Sequence, residues 1–306
     1  MNLRIEMSAT GGPDGLKPTR APMPEPGRGE VVIHMTVAGV NPDDLRRCNL
    51  DVAVPGVEAC GRVLLVGRGV DAVKVGDEVL TAMQGLGERY PGGYQRLVTL
   101  PADTLAVVPE ALSLEDAGTL GLPALSAWLL AERMGLRGGH ELLIDRADSA
   151  IGQMLIQVAR CRGARVVAVA AHAENMGLLR DCGAQEVLGP DDRLGADPFD
   201  RVLQQTSGPD FATSVQSMAD GGQMIYLGPS GVLQVDAEDL RRGVSITGWS
   251  PSSLTAAQIQ RALDALSVMF IGGRLKVRAL HRVTLVNAAQ AHKAIERGAP
   301  GRVVLY

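Results

Sequence analysis

The sequence predicts an α/β protein in which a doubly wound parallel sheet is combined with a β-rich domain. Short strand patterns punctuated by glycine and proline fill residues 1–110, as in Glu30–Thr36, where side chains alternate between two faces. From residue 113 onward, apolar strands alternate with helical stretches. That alternation is typical of a parallel sheet covered by helices on both faces.

The second half of the chain supplies the elements of the parallel sheet. Helices are predicted over Ser113–Met134, which is rich in Leu and Ala, Ser149–Cys161 and Glu174–Cys182. The predicted strands are Glu141–Ile144, Arg165–Ala171, Glu186–Gly189, Arg201–Gln204, Met224–Leu227 and Val244–Trp249. The tail from His281 returns to a strand–helix–strand pattern that ends in Arg302–Tyr306.

Composition excludes several classes of function. With 306 residues, 46% of them hydrophobic, the chain is long enough for two domains with separate cores. A net charge of -4 and the absence of Lys/Arg runs argue against nucleic-acid binding and a membrane surface. Scattered cysteines, with no Cys-x-x-Cys pair, and an N-terminus without a signal-peptide pattern predict a cytoplasmic protein with reduced thiols.

The first strand-to-helix turn of the predicted sheet is the candidate phosphate-binding loop. It runs from Asp145 to Gly152, and its residues Ala147, Ser149 and Ala150 are small. A dinucleotide fold needs small residues here, because the backbone approaches the pyrophosphate and the helix N-terminus donates N–H groups to it. The alternative is an ordinary capped helix, with Asp148 or Ser149 as its N-cap.

Five segments, in order along nearly the whole chain, are similar to one known family. They are PEPGRGEVVIHMTVAGVNPDD (Pro24–Asp44), PGVEACGRVLLVGRGVDAVKVGDEVLTA (Pro55–Ala82), LPALSAWLLAERMGLRGGHELLI, GGQMIYLGPSG and AAQAHKAIERGAPGRVVLY. The chain resembles the medium-chain dehydrogenase/reductase superfamily, in the zinc-free branch of quinone oxidoreductases and enoyl reductases. The resemblance implies a GroES-like catalytic domain over 1–112 and 281–306 and a Rossmann dinucleotide-binding domain over 113–280.

The resemblance also implies that no zinc is bound. Zinc-dependent members carry a cysteine ligand where this chain has Asn41 and a histidine ligand where it has Val57. Neither residue type present here is a usual zinc ligand. The neighbouring Glu58 is interpreted as a paired carboxylate rather than as a site.

The resemblance assigns roles to named residues. Asn41, Ser126 and Tyr94 are the candidate catalytic residues, although Asn41 also fits a turn residue before Pro42 and Ser126 a small packed helix residue. The candidate cofactor-binding positions are Ala147, Ser149, Ala150, Ile151, Gly152, His172, Asn175 and Gly228.

Departures from the family's pattern concern the cofactor site. The loop has Ser149 and Ala150 where relatives have glycines, and Asp148 is expected to face the pyrophosphate and weaken its binding. Ala170 stands near the acid of NAD-specific relatives, whereas His172 and Asn175 stand at the Ser and Lys of NADP-using ones. His172 also fits an exposed surface histidine.

The sequence therefore predicts an NADP(H)-dependent reductase of a quinone or an activated double bond, acting on a small molecule. NADPH is expected to bind better than NADH, but weakly. The rival prediction is a diverged member with weakened or lost cofactor binding that does non-redox chemistry or binds a ligand or partner. A homodimer is also expected, paired through the apolar strand Val244–Trp249.

Overall fold

A computed structural model describes residues 1–8, 11–47, 53–195 and 198–306. Cys48, one of the cysteines considered above, lies outside the described residues. Within the described ranges, no helix is both long and apolar enough to cross a membrane. The chain divides into two compact units. Unit 1 comprises 1–125, 251–272 and 279–306, and unit 2 comprises 126–250 and 273–278.

The secondary structure follows the predicted change from strands to strand–helix alternation. The strands are β1 (Asn2–Met7), β2 (Leu16–Ala21), β3 (Glu30–Val40), β4 (Glu58–Val66), β5 (Glu78–Ala82), β6 (Leu97–Pro101), β7 (Ala106–Val107), β8 (Glu141–Ile144), β9 (Arg165–Val169), β10 (Glu186–Leu188), β11 (Phe199–Gln204), β12 (Met218–Tyr226), β13 (Ser245–Gly248), β14 (Leu280–Val283) and β15 (Arg302–Leu305). The α-helices are α1 (Asp44–Arg47), α2 (Leu114–Arg133), α3 (Ala150–Cys161), α4 (Met176–Cys182), α5 (Pro209–Gln216), α6 (Ala237–Arg241), α7 (Ala256–Ile271) and α8 (Ala288–Glu296). Short 3₁₀ helices occupy Pro13–Gly15, Ala102–Thr104, Ala173–Asn175, Pro251–Ser253 and Leu285–Asn287.

Unit 2 contains a six-stranded sheet in the order β10-β9-β8-β11-β12-β13, with every neighbouring pair parallel. The predicted doubly wound parallel sheet is therefore confirmed. Chain order reverses direction between β8 and β11, and ligands of such sheets bind outside the carboxyl ends of the strands at this point. Strand β8 is buried and apolar after Glu141, and β11 is buried over its last three residues, which suits strands covered on two faces.

Unit 1 is built on a seven-stranded sheet that combines strands from the N-terminal and C-terminal parts of the chain. Its order is β14-β15-β3-β4-β5-β7, and β6 pairs with β3. Most pairs are antiparallel, whereas β14 and β15 run parallel. The C-terminal strand β15 thus lies beside β3, with Val303 paired to Val40. This pairing places Arg302 next to the end of β3 and the turn that follows it.

The unit boundaries differ from the bounds predicted for the domains. Unit 1 continues through the first half of α2 to Leu125, and it also includes α7. The contact that ties α7 to this unit is specific, since the Gln260 side chain accepts from Val107 N–H at 2.7 Å and donates to its carbonyl at 3.0 Å. This pairing attaches the helix to the edge strand β7.

Helix α2 contains a break that the sequence analysis missed. Gly121 has φ 42° and ψ -150°, which is outside helical geometry, and Pro123 follows two residues later. Pro is favoured in a first helical turn, so the residues after Gly121 begin a new helical segment. A Cβ at Gly121 would lie 2.3 Å from Glu58 Oε2 and 2.4 Å from Arg302 Nη2.

We expect Gly121→Ala to lower the free energy of unfolding by at least about 3 kcal/mol. An unusual backbone region costs a residue with a side chain about 1–3 kcal/mol, and the new methyl group collides with buried atoms in addition. Gly135→Ala is the matched control, because Gly135 also has a positive φ of 58° but has no atom near its Cβ position. Its expected cost is about 1–2 kcal/mol. Equal losses in urea unfolding of the two variants would contradict this account.

Candidate active site

A buried ion pair lies within unit 1. Arg302 Nη2 in β15 donates to Glu58 Oε2 in β4 at 2.8 Å, and the two side chains are only 2% and 3% exposed. The guanidinium also donates to the carbonyls of Thr119 at 3.0 Å and Gly118 at 3.2 Å. Glu58 is therefore a paired carboxylate, as interpreted from the sequence, but its partner Arg302 was not foreseen.

Asn41 lies at the edge of this ion pair. Its Nδ2 donates to Glu58 Oε1 at 2.8 Å, and the N–H of Leu122 donates to Glu58 Oε2 at 2.8 Å. The backbone N–H of Asn41 donates to Asp44 Oδ2 at 2.8 Å. Asn41 therefore also belongs to a turn, which was the alternative interpretation. Asn41 is half-buried, whereas Glu58 and Arg302 are buried. Asn41 is thus a fixed, partly accessible amide.

Tyr94 belongs to a second buried network, formed with Asp44 and His292. Its hydroxyl lies 2.8 Å from Asp44 Oδ2, to which it donates, and 2.8 Å from His292 Nε2. Burial raises the pKa of Asp44 to about 7, against hydrogen bonds from Asn41, Tyr94 and Val57 that lower it. Burial lowers the pKa of His292 to about 4, so its neutral ring can donate to the tyrosine oxygen.

This network surrounds the hydroxyl of Tyr94, one of the candidate catalytic residues. The residue is fully buried, and burial beside the Asp44 carboxylate raises the pKa of its hydroxyl well above the usual value. A proton donor must come within hydrogen-bond distance of the group it protonates. The Tyr94 hydroxyl bonds to Asp44 and His292 and so supports the turn at Asp44, and its catalytic role stays a prediction.

Asn41 and Val57 stand at the two positions where zinc-dependent members of the superfamily carry metal ligands. Val57 is 1% exposed, and its N–H donates to Asp44 Oδ1 at 3.0 Å. Across the described residues, no group of three or more His, Cys, Asp and Glu side chains is arranged to hold a metal.

Ser126 lies in α2, at the start of unit 2, and is fully buried. Its Oγ has no hydrogen-bond partner among the described residues. A helical serine usually bonds to the carbonyl four residues earlier, so an orphaned buried hydroxyl is uncommon. The burial of Ser126 fits the interpretation as a small packed helix residue. Its hydroxyl, without a partner among the described residues, is left able to form a hydrogen bond with a ligand.

The turn after β8 holds the candidate phosphate-binding residues close to the start of α3. Ser149 is the N-cap, and its Oγ accepts from Gly152 N–H at 3.0 Å. A Cβ at Gly152 would lie 2.5 Å from the carbonyl oxygen of Ala147, so only glycine permits this approach. Ala150 and Ile151 occupy the first helical positions, where N–H groups have no acceptor inside the helix.

Asp145 fastens the turn to β11 on one side. Its Oδ2 accepts from the N–H of Gln205 at 3.0 Å and from the Thr206 hydroxyl at 2.7 Å. Gln205 in turn donates to the Asp145 carbonyl at 2.6 Å and accepts from Ser149 Oγ at 3.1 Å. Sequence analysis missed these residues, because polar side chains after a strand give no sign of which partner they meet.

On the other side, Asp148 attaches the turn to the segment after β9, and its carboxylate does not point where the sequence analysis expected. It is buried, and its carboxylate accepts from the N–H groups of Ala171 at 3.1 Å and His172 at 3.2 Å. Asn175 Nδ2 donates to it at 2.9 Å. The expectation that Asp148 faces the pyrophosphate is wrong, because these three donors turn its carboxylate toward the end of β9. Asp148 is not the N-cap of α3 either.

The remaining candidate positions are half-buried or covered. His172 is half-buried rather than exposed, and Asn175 is buried against Asp148. Gly228 follows β12, and a Cβ there would lie 2.4 Å from the hydroxyl oxygen of Tyr226. That hydroxyl donates to the carbonyl of Pro229 at 2.8 Å. Tyr226 therefore lies directly against Gly228, which is one of the predicted cofactor-binding residues. No sequence pattern had indicated a role for Tyr226.

Both parts of the chain match known protein families. Residues 27–110 match the family described as alcohol dehydrogenase GroES-like domain, and residues 150–268 match the family described as zinc-binding dehydrogenase. Quinone oxidoreductase of Sus scrofa is 27% identical over 98% of this chain and 96% of its own length.

Solved structures of similar length share the fold. A mycobacterial protein solved in complex with NADPH is 28% identical, with a TM-score of 0.85, and the match covers 100% of this chain and 99% of the other. An NAD-dependent alcohol dehydrogenase is 28% identical, with a TM-score of 0.84 and the same coverage. These similarities extend through both units.

The opposed pKa shifts of Asp44 and His292 predict a distinctive pH dependence. Asp44 has a pKa raised from 3.8, so it takes up a proton on folding and its contribution to stability weakens as the pH rises toward 7. His292 has a pKa lowered from 6.5 to about 4, so it releases a proton on folding and its contribution grows as the pH rises through that window.

We expect His292→Gln to remove only the second contribution. The free energy of unfolding of this variant, minus that of the wild type, should fall by about 3 kcal/mol as the pH rises from about 4 to about 6.5, since each pKa unit is worth about 1.4 kcal/mol. A glutamine amide can still donate to Tyr94. His34→Gln, which changes an exposed histidine of β3, is the control and should give a flat difference. A flat difference for His292→Gln as well would refute the assignment.

Proposed function

The chain belongs to the medium-chain dehydrogenase/reductase superfamily, in its quinone oxidoreductase-like branch, and from this premise we propose that it is an NADPH-dependent reductase. Its proposed substrates are quinones or other small molecules with an electron-poor double bond, reduced without zinc. Relatives named quinone oxidoreductase that align over nearly the whole chain support the oxidoreductase chemistry. A neighbour of known structure that binds NADPH supports the cofactor.

The turn between β8 and α3 carries this proposal. It lies at the reversal of strand order, outside the carboxyl end of β8, where dinucleotides bind to such sheets. Gly152 permits the close approach of helix and turn, and the first N–H groups of α3 can receive a pyrophosphate. These residues fit the phosphates of a nicotinamide cofactor. When bound, the reduced nicotinamide would supply the hydride.

Two polar side chains are proposed to act on the substrate. One N–H of the Asn41 amide is held by Glu58, and the second is available to donate to a substrate oxygen. The Ser126 hydroxyl has no partner among the described residues and is the second proposed donor. Donors fixed before the reaction stabilise negative charge that develops on a carbonyl or quinone oxygen. Tyr94 is proposed to act indirectly, by holding Asp44 and the turn at Asn41.

Zinc independence is proposed from the residues at the ligand positions. Asn41 is committed to Glu58 and Asp44, and Val57 has no metal-binding atom in its side chain. Charge stabilisation would then depend on hydrogen-bond donors rather than on a Lewis acid.

We expect the purified protein, dialysed against chelator, to oxidise NADPH when para-benzoquinone is added, without stoichiometric zinc. Loss of nicotinamide absorbance measures the reaction, and elemental analysis measures the metal. Activity that depends on zinc at one atom per chain would contradict the zinc-free mechanism. No NADPH oxidation with any quinone or enone would favour a diverged, non-redox protein.

Ser126→Ala tests the proposed role of the Ser126 hydroxyl in the same assay. Because Ser126 Oγ has no partner, its removal breaks no hydrogen bond described here, so stability should be unchanged. Loss of a fixed donor should lower kcat by about tenfold or more. Ser267→Ala is the matched control, since this buried helical serine donates to the carbonyl of Asp264 at 2.7 Å and is given no role in the reaction.

A homodimer is proposed through β13, the edge strand of the six-stranded sheet. Its residues are exposed or half-buried, and one side of the strand has no neighbour among the strands that the structure describes. Pairing of two edges across a two-fold axis satisfies their backbone groups.

Light scattering at micromolar concentration should therefore give twice the mass of the chain. Ser245→Lys places a charge on this exposed edge and should shift the protein toward monomers. Ser207→Lys, in an exposed loop of the same unit, should leave the mass unchanged. A monomeric wild type would rule out the proposed pairing.

A further inference from the structure

Asp148 makes an unusual set of contacts for a residue of a phosphate-binding turn. It is 5% exposed, and both oxygens of its carboxylate accept hydrogen bonds. The three donors are the N–H groups of Ala171 and His172 and the side-chain amide of Asn175. All three belong to the segment that immediately follows β9, the second strand of the doubly wound sheet.

The end of that second strand is the place where such folds receive the adenosine ribose of a dinucleotide. An acid there bonds the ribose hydroxyls of NAD, whereas basic groups there accommodate the 2′-phosphate of NADP. In this chain the strand itself ends without an acid, since Ala170 is a buried alanine. The carboxylate at this location comes instead from the turn after the first strand.

Charge at this location disfavours a second anion. Two consecutive backbone N–H groups and an amide form a cluster of donors of the kind that binds anions. Asp148 already occupies all three donors with a negative charge, and residues 170–176 include neither Lys nor Arg. A 2′-phosphate would have to displace the carboxylate or lie against it, and like charges a few ångströms apart repel strongly away from bulk water.

We propose that Asp148 is a specificity-determining residue that weakens the binding of NADPH by occupying the donors its 2′-phosphate would use. The inference rests on the proposed function and concerns which form of the cofactor that site prefers. NADH carries hydroxyls at this position, which can lie beside a carboxylate without repulsion. The wild type is therefore expected to distinguish NADPH from NADH by less than about tenfold, a small difference in binding free energy.

Calorimetric titration with NADPH and with NADH tests this on the full chain. Asp148→Ala frees the three donors and removes the charge, so the Kd for NADPH should fall by about ten- to a hundredfold. The Kd for NADH should change by less than about threefold, because its ribose hydroxyls carry no charge to be repelled. Asp148→Asn removes the charge while nearly keeping the shape, and it should show the same selectivity for NADPH if the alanine variant is too unstable to titrate.

The control variant is Asp200→Ala. Asp200 is also a carboxylate that accepts a backbone N–H, from Glu141 at 2.8 Å, but it lies at the amino end of β8, away from the turn. Removal of this charge should leave both Kd values unchanged. Adenosine 2′,5′-bisphosphate and adenosine 5′-monophosphate, titrated in the same way, isolate the 2′-phosphate from the nicotinamide half.

The outcomes separate the inference from the proposed function. A selective gain for NADPH and for the 2′,5′-bisphosphate supports the inference. An equal gain for NADPH and NADH would place the repulsion at the pyrophosphate and overturn it, as would no gain for either, while the reductase function would stand. If no variant binds any of these nucleotides at millimolar concentration, the proposed function fails and the inference fails with it.

Discussion

The buried ion pair between Glu58 and Arg302 is the interaction on which unit 1 depends. It joins β4 to the last strand of the chain, and it is enclosed where only glycine fits, since a Cβ at Gly39 or Gly121 would collide with both side chains. Charges removed from water are stable only when each is paired and its remaining hydrogen-bonding groups are satisfied. Glu58 meets this condition with Asn41, Leu122 N–H and Arg302. Loss of one partner would leave a buried charge, at a cost of about 3–5 kcal/mol.

The same ion pair explains how the Asn41 amide is fixed within unit 1. Glu58 holds the Asn41 amide, and it also accepts from the first N–H after the break in α2. Asp44, supported by Tyr94 and His292, holds the backbone of the same turn. An amide restrained at both its backbone and its side chain loses little freedom in a reaction, which is the condition for effective stabilisation of charge. The stability of the fold and the chemistry proposed for it thus share the same residues.

In unit 2, the turn after β8 lacks most of the glycines of a typical phosphate-binding turn, and two carboxylates hold it in place by hydrogen bonds. Asp145 bonds to residues after β11 and Asp148 to residues after β9, so the turn is attached to both neighbours of β8. Arg146 between them adopts a positive φ of 46°, which is costly for a residue with a side chain and needs such attachment. The turn is therefore held on both sides by hydrogen bonds, although its sequence departs from the glycine-rich pattern.

Much of the fold was predictable, because the periodicity of apolar residues is a local property. Strand Glu141–Ile144 has the predicted bounds, and α3 differs from its predicted bounds by one residue. The break at Gly121 could have been found, since Pro123 signals a first helical turn. The direction of Asp148 could not, because its partners lie 23 to 27 residues away and no spacing rule connects them. The hydrogen bond of Tyr94 to His292 could not be predicted either, because the two residues are 198 positions apart in the chain.

Binding of NADPH to the turn after β8 is the central claim of this account, and direct titration of the wild type tests it without knowledge of the substrate. Nicotinamide fluorescence, followed as protein is added to NADPH, should change and saturate at one cofactor per chain. A signal that does not saturate at millimolar protein or cofactor would contradict the claim.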